Sequence, residues 1–304
     1  MNNLLFIFFV SILNISVAFG QSSDYVFKVL TTDGEVSYRS SSSDEWQPIE
    51  VGTALNSSHL VKVGKNAYLG LVHKSGKTIP FSKAGTYEIS HLQDRMSRKV
   101  SPVAEKYANA YIESVKNKTA ATTPEVTRSI ENQKLKMYLP NSVDVFSPEV
   151  VLRWKNQDDM QPELLQDDYE VVFRNMFDEV LMVKDASDTK LWLDFDQEPI
   201  ASERLLIVSV QKKAQKDVQS SSYGIKHMTA DESALIEQEL QELKLVFAGE
   251  ESALDKLILA SFYEQNNLLA DALTCYEYAV ELSPEVEAFH SAYDQFIFRN
   301  GLGL

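Results

Sequence analysis

The chain has 304 residues with 29 Lys/Arg against 44 Asp/Glu, a formal net charge of -15. That balance speaks against nucleic-acid binding, which needs clustered basic side chains to meet phosphates. A single cysteine, Cys275, excludes an internal disulfide framework and a cysteine zinc cluster, and the length suits two or three domains with separate cores.

The N-terminal segment Leu4 to Leu13 is a short apolar run, and Ala18-Phe19-Gly20 supplies small residues at signal-peptidase spacing. Residues 1–20 are therefore predicted to be a signal peptide, although Met1-Asn2-Asn3 carries no Lys or Arg. As a helix the apolar stretch would reach roughly 24 Å, short for a bilayer core. The expected location is exported, in the periplasm or cell envelope, with no integral membrane segment once the signal is cleaved. Asn56-Ser57-Ser58 and Asn117-Lys118-Thr119 match the N-glycosylation triplet.

Residues 21–97 read as short strands broken by turns, the pattern of a small β-barrel or roll. Val26 to Leu30, the turn Thr32-Asp33-Gly34, and Glu35 to Tyr38 predict a hairpin. Leu60 to Val63, Ala67 to His73, Thr78 to Phe81 and Thr86 to Ile89 follow as further strands. The series Trp46 to Gly52, Leu60-Val-Lys-Val-Gly64, Ala67 to Leu71, Ser75-Gly76-Lys77 and Gly85-Thr-Tyr87 resembles the FecR-like domain of exported bacterial proteins, and SH3-like barrels almost as well. The resemblance implies an envelope protein and carries no catalytic residues.

Residues 98–140 are predicted to be one helix and a linker. Ser101 is placed as the cap and Pro102 at the first helical position, with Val103, Tyr107, Tyr111 and Val115 on one packing face. Residues 141–213 return to strands at Val150 to Trp154, Tyr169 to Phe173, Val180 to Val183, Lys190 to Leu193 and Arg204 to Val210, with an acidic loop from Asp158 to Asp168. Pro148, Leu152-Arg-Trp154 and Tyr169-Glu-Val171 resemble a fibronectin type III or immunoglobulin-like sandwich, in which Trp154 fills the core.

Residues 229–304 are helical. Thr229-Ala-Asp-Glu232 is a capping box, Ile236, Leu240, Leu243 and Phe247 form an apolar stripe, and Gly249 suits the stop. From Ser252 to Val286, Leu259, Ala260 and Tyr263, the break at Asn266-Asn267, and Ala272, Tyr276 and Ala279 resemble one tetratricopeptide repeat. Ser283-Pro284 is read as opening a last helix. One repeat flanked by other helices implies a compact bundle. Residues that a repeat leaves outward, Glu264, Asn266, Thr274 and Glu277, are the candidate partner contacts. The fold class is thus α+β multidomain, with a barrel or roll, an Ig-like sandwich and a TPR-like bundle.

Charge follows this order. Residues 21–140 carry 16 Lys/Arg against 12 Asp/Glu, residues 141–228 carry 10 against 17, and residues 229–304 carry 3 against 15. The acidic end either keeps the chain soluble or forms a docking knob for a basic protein partner; the alternative for the hairpin is packing on its own sandwich. Motifs for chemistry are weak. Gly70 to Thr78 nearly matches a phosphate-binding loop but has five residues between the glycines where four are needed. Asp194-Phe-Asp196-Gln-Glu198 alternates carboxylates as calcium loops do, yet Pro199 stands where Gly is required. His59, His73, His91, His227 and His290 have no metal spacing. No cofactor and no catalytic residue is assigned. The expectation is a non-catalytic scaffold of the bacterial envelope acting through protein contacts. The alternatives are a cell-wall or glycan-binding module that engages an envelope polymer through Trp46, Tyr68 and Tyr87, a sensor arm of an envelope regulatory pathway, or, last, an envelope hydrolase.

Overall fold

The structure, a computed structural model, describes residues 25–96, 99–117, 135–156, 168–247 and 251–303. The predicted signal peptide, most of the linker and of the acidic loop, and Gly249 lie outside the described residues. The protein is mixed α+β, with antiparallel sheets through its first two-thirds and four helices at its C-terminal end. No helix among the described residues is long and apolar enough to cross a membrane.

The first region holds β1 (Phe27–Asp33), β2 (Val36–Ser40), β3 (Gln47–Pro48), β4 (Ala54–Leu55), β5 (His59–Val63), β6 (Tyr68–His73), β7 (Thr78–Phe81) and β8 (Gly85–Glu88). They form two open four-stranded sheets, β4-β1-β6-β7 and β3-β2-β5-β8, and no closed barrel. The predicted β1–β2 hairpin does not form. β1 runs along β6 from Phe27 opposite His73 to Asp33 opposite Tyr68, while β2 pairs with β3 and β5. Gly34, at φ 72°, carries the chain from one sheet to the other. The longer non-local register won because it also buries both faces of the strand. Phe27 and Val29 enter the core between the two sheets, and an irregularity between Val29 and Thr31 sends Leu30 to the opposite face. β6 is buried along its whole length for the same reason.

The helices α1 (Ile89–Gln93) and α2 (Pro102–Lys116) follow, and Ser101 caps α2 through the Ala104 amide at 3.3 Å. The second β region comprises β9 (Leu135–Met137), β10 (Ser142–Val145), β11 (Glu149–Asn156), β12 (Tyr169–Arg174), β13 (Val180–Ala186), β14 (Lys190–Asp194), β15 (Leu205–Lys212) and β16 (Tyr223–His227). One sheet has the order β10-β16-β15-β12-β13, parallel only between β10 and β16, and the other has β14-β11-β9. Trp154 of β11 meets Tyr169 of β12 edge to face at 5.5 Å, which joins the two sheets in one core. Two of these strands, β9 and β16, fall outside the span 141–213 expected for this region. β9 is only three residues long, and Gly224 interrupts the pattern of β16.

The C-terminal helices are α3 (Ala230–Lys244), α4 (Ala253–Gln265), α5 (Leu269–Leu282) and α6 (Glu287–Arg299). Thr229 and Glu232 form the expected capping box on α3, and Ser252 and Asp255 form a second one on α4. Ser283-Pro284 is a turn and not a helix start. The last helix begins at Glu287, whose amide donates to Asp33 of β1 at 2.8 Å. A cap borrowed from 254 residues upstream leaves no local sequence signature.

The helical hairpin is not a knob at one end. It lies between the two β regions and shares one core with both. α4 faces the first region, where Gly70 of β6 admits Leu254 and Thr78 of β7 donates to Asp255 at 2.7 Å. α5 faces β10 and β11 of the second. α2 packs chiefly on α4, with Tyr107 and Phe262 edge to face at 5.0 Å, and also meets β1. Ala260, Ala270, Ala272 and Ala279 are buried where α4 and α5 approach each other, and Asn267 takes the left-handed conformation at φ 58° in their turn.

The near match to a phosphate loop has a packing explanation. Gly76 sits at φ 92° in the β6–β7 turn, and any Cβ there would strike Ala104 and Val246. At Gly70 a Cβ would strike Leu254 and come within 2.9 Å of Thr31. Gly70→Ala should therefore destabilise the protein by about 1–3 kcal/mol through overpacking. In chemical denaturation, Gly70→Ala/Leu254→Ala should lose less than the sum of the single losses, and strict additivity would show that the two positions do not meet.

Candidate functional site

The four candidate contacts turn out to be used within the fold. Thr274 and Glu277 are each only 6% exposed. They belong to a polar stripe of α5 that includes Asp271. β11 pairs with β14 over residues 149–153 but with β9 only over 154–156, so the other edge of its first half has no strand beside it among the described residues. α5 takes that place. Asp271 accepts the amides of Phe146 at 3.1 Å and Ser147 at 2.7 Å, and Thr274 Oγ1 accepts the Val151 amide at 2.9 Å. Arg153 Nε lies 3.1 Å from Glu277 Oε1, and Lys190 of β14 pairs with Glu281 at 2.7 Å. Thr274 completes its own needs by donating to Ala270 O at 2.8 Å. The helix thus satisfies the Val151 amide, which a neighbouring strand would otherwise take, and the Phe146 and Ser147 amides of the turn between β10 and β11. Burial pushes the Asp271 carboxyl up, and the Ser147 and Phe146 donors pull it back toward the charged form.

Glu264 and Asn266 close the other side of the hairpin. Arg299 of α6 holds Glu264 with two parallel bonds, Nε to Oε1 at 2.6 Å and Nη2 to Oε2 at 2.5 Å, and also donates to Tyr276 Oη at 3.0 Å. Asn266 caps α4 through Phe262 O at 2.9 Å. The expectation that Thr274 and Glu277 face outward is corrected, because the second β region covers that face of α5, while Glu264 and Asn266 are half-buried and Glu264 is engaged by α6.

Other candidates from the sequence are also absorbed. Cys275 is buried and its thiol is pushed up to about 12 by that burial, which suits a packing residue and not a nucleophile. Asp194 accepts the Asp196 amide at 2.9 Å as a turn closes β14, and Phe195 stacks on His227 at 4.9 Å. No group of three or more metal-ligating side chains occurs among the described residues. His59 accepts the Asn56 amide at 3.1 Å, while His73 lies in the other sheet and contacts Ser75 at 2.8 Å. Of the three rings expected to stack on sugars, Tyr68 is buried against Phe289 at 5.5 Å, while Tyr87, beside Phe81 at 4.6 Å, and Trp46, with Arg39 and Lys62 over its ring, stay half-buried.

One cleft of about 360 Å³ remains open, with Ser75 and Lys77 of the β6–β7 turn, Val100 and Pro102 before and at the start of α2, and Glu242, Leu245 and Val246 at the end of α3 along its walls. A second, of about 240 Å³, lies where β1 and α2 meet α6, with Thr31, Asp33, Ser291 and Gln295 on its walls. Ser75 on the wall of the first cleft is the hydroxyl that contacts His73.

Two measurements check this assignment. Thr274→Val keeps the shape of the side chain but strands the buried Val151 amide, so it should cost about 1–3 kcal/mol in urea denaturation while Thr274→Ser costs less. Burial, reinforced by the Lys74 charge, holds His73 down to about 4 from 6.5. Below pH 6.5 the unfolded chain takes up a proton that folded His73 refuses, so stability should fall as pH drops from 6.5 toward 4. His73→Gln should flatten that part of the thermal-midpoint profile. Comparison with known proteins gives no further guide to the site: no family model matches the chain, and no curated protein matches it.

Proposed function

We propose that this protein is a non-catalytic scaffold or adaptor that is exported to the bacterial cell envelope and binds a protein partner through its acidic C-terminal helices. The localisation rests on the signal-like segment of residues 1–20 and on the FecR-like turn pattern. The α4–α5 pair, with buried alanines at the close approach and aromatic rings beside them, supports the tetratricopeptide-like reading. The two packed sheets around Trp154 and Tyr169 support an immunoglobulin-like reading of the second β region.

The observation that carries the proposal is the use made of the polar groups. Asp271, Thr274, Glu277, His73 and Cys275, the buried groups with chemical potential, are spent on internal contacts or packing. The helices and the turn between α5 and α6 nevertheless present Glu237, Glu242, Glu285, Glu287 and Asp294 to solvent. Such a surface attracts a basic partner over a distance set by ionic strength.

The intact protein should retain partners from an envelope extract at low salt and release them at high salt. Glu285→Lys/Asp294→Lys and Glu237→Lys/Glu242→Lys variants, matched for thermal midpoint, should retain fewer. An identical set of partners on all three proteins would count against the acidic helices as the binding element.

A further inference from the structure

The acidic helices do not contribute equally to such a surface. α3 is amphipathic in two directions. Its inner side buries Leu240 and Leu243 and is tied to α2, where Lys106 meets Glu239 at 3.3 Å and the Tyr107 hydroxyl donates to the same carboxylate. Its outer side carries Asp231, Leu235, Gln238, Glu242 and Leu245, all exposed. These residues are spaced alternately by four and three positions, so at 3.6 residues per turn they fall within an arc of about 80°. That is the spacing of a coiled-coil seam. Leu235 is 79% exposed and Leu245 is 84% exposed. They stand about 15 Å apart along the axis, with carboxylates between and beside them.

We propose that this outer stripe of α3 is a docking seam for a basic amphipathic helix of a partner protein. The proposal rests on the function read above and names its surface. Three observations choose the occupant. The four-three spacing fits a helix laid alongside better than an extended strand, whose own side chains alternate every second residue. The charge fits a basic partner, because α3 holds five acidic residues against one lysine, and Asp231 and Glu242 form no ion pair among the described residues. The far end of the seam opens into the larger cleft, whose walls include Glu242 and Leu245 together with Val100, Pro102 and Val246, so an apolar side chain of the partner has a place to enter. The same charge disfavours a second copy of this chain, whose α3 would set carboxylate against carboxylate.

The test uses the full chain and a synthetic lysine–leucine peptide whose leucines repeat at alternating spacings of three and four. A second peptide of the same composition has its leucines scattered. Fluorescence anisotropy should show the patterned peptide binding at least about tenfold more tightly than the scattered one, with affinity falling as salt rises. Leu235→Asp/Leu245→Asp should remove that preference, and Glu237→Lys/Glu242→Lys should weaken both peptides. Both variants alter exposed side chains, and an unchanged melting midpoint confirms the fold. Equal binding of the two peptides, or a preference that survives Leu235→Asp/Leu245→Asp, overturns the seam. If Glu285→Lys/Asp294→Lys alone weakens binding, the seam fails while an acidic helical docking surface stands. If neither peptide binds, both fail. A dimer in light scattering that Leu235→Asp abolishes would assign the stripe to a second copy and also overturn the proposal.

Discussion

The contact on which the rest of this structure depends is the seating of α5 against the open edge of β11. A strand edge with unpaired amides is costly to bury and hazardous to expose. Here Thr274 takes the Val151 amide of that edge, Asp271 takes the Phe146 and Ser147 amides of the turn leading into it, and Glu277 and Glu281 take Arg153 of β11 and Lys190 of β14. Replacing a strand with a helix requires acceptors on one helical face at a pitch that follows the sheet edge. Spacings of three and four residues along α5 supply it. Each bond is worth little as a net gain, yet leaving the buried Val151 amide unmade costs more than the bond returns.

With α5 held on one side, α4 is held on the other. Gly70 lets Leu254 approach the backbone of β6, Asp255 joins the α4 capping box to Thr78, and Asp33 caps α6 from β1. The hairpin therefore joins two β regions that are separate in sequence, and the chain shares one large core across them. A platform of this kind leaves α3 as the helix with an uncovered apolar stripe. It also leaves Glu281 at the end of α5 and Glu287 and Asp294 of α6 exposed.

Element types were legible in the residues to a large degree. The alternation in Thr78 to Phe81, the Ser101-Pro102 start, the Thr229–Glu232 box and the Asn266-Asn267 break each act within a few positions, so local chemistry decides them. The hairpin expected around Gly34 failed because a turn residue permits a reversal without choosing the partner strand. β6 offered β1 a longer register with burial on both faces. β9, β10 and β16 are not legible in the sequence: β9 and β10 are only three and four residues long, Gly224 interrupts β16, and their pairings with β11, β16 and β15 are non-local. The candidate site was misplaced for a related reason. Glu264, Thr274 and Glu277 are polar residues on amphipathic helices, and polarity predicts exposure only when nothing complementary waits in the rest of the fold.

The sequence by itself determined the uneven charge, the strand-rich and helix-rich stretches, the caps, and the small-residue faces through which α4 and α5 meet, because each depends on neighbours within a turn or a strand. Only the tertiary structure decided that the repeat-like hairpin lies inside the molecule, that its polar stripe completes a sheet edge, and that Leu235 and Leu245 remain uncovered. Those outcomes depend on which distant backbone amides and apolar faces lack partners, and that is settled when the whole chain is packed.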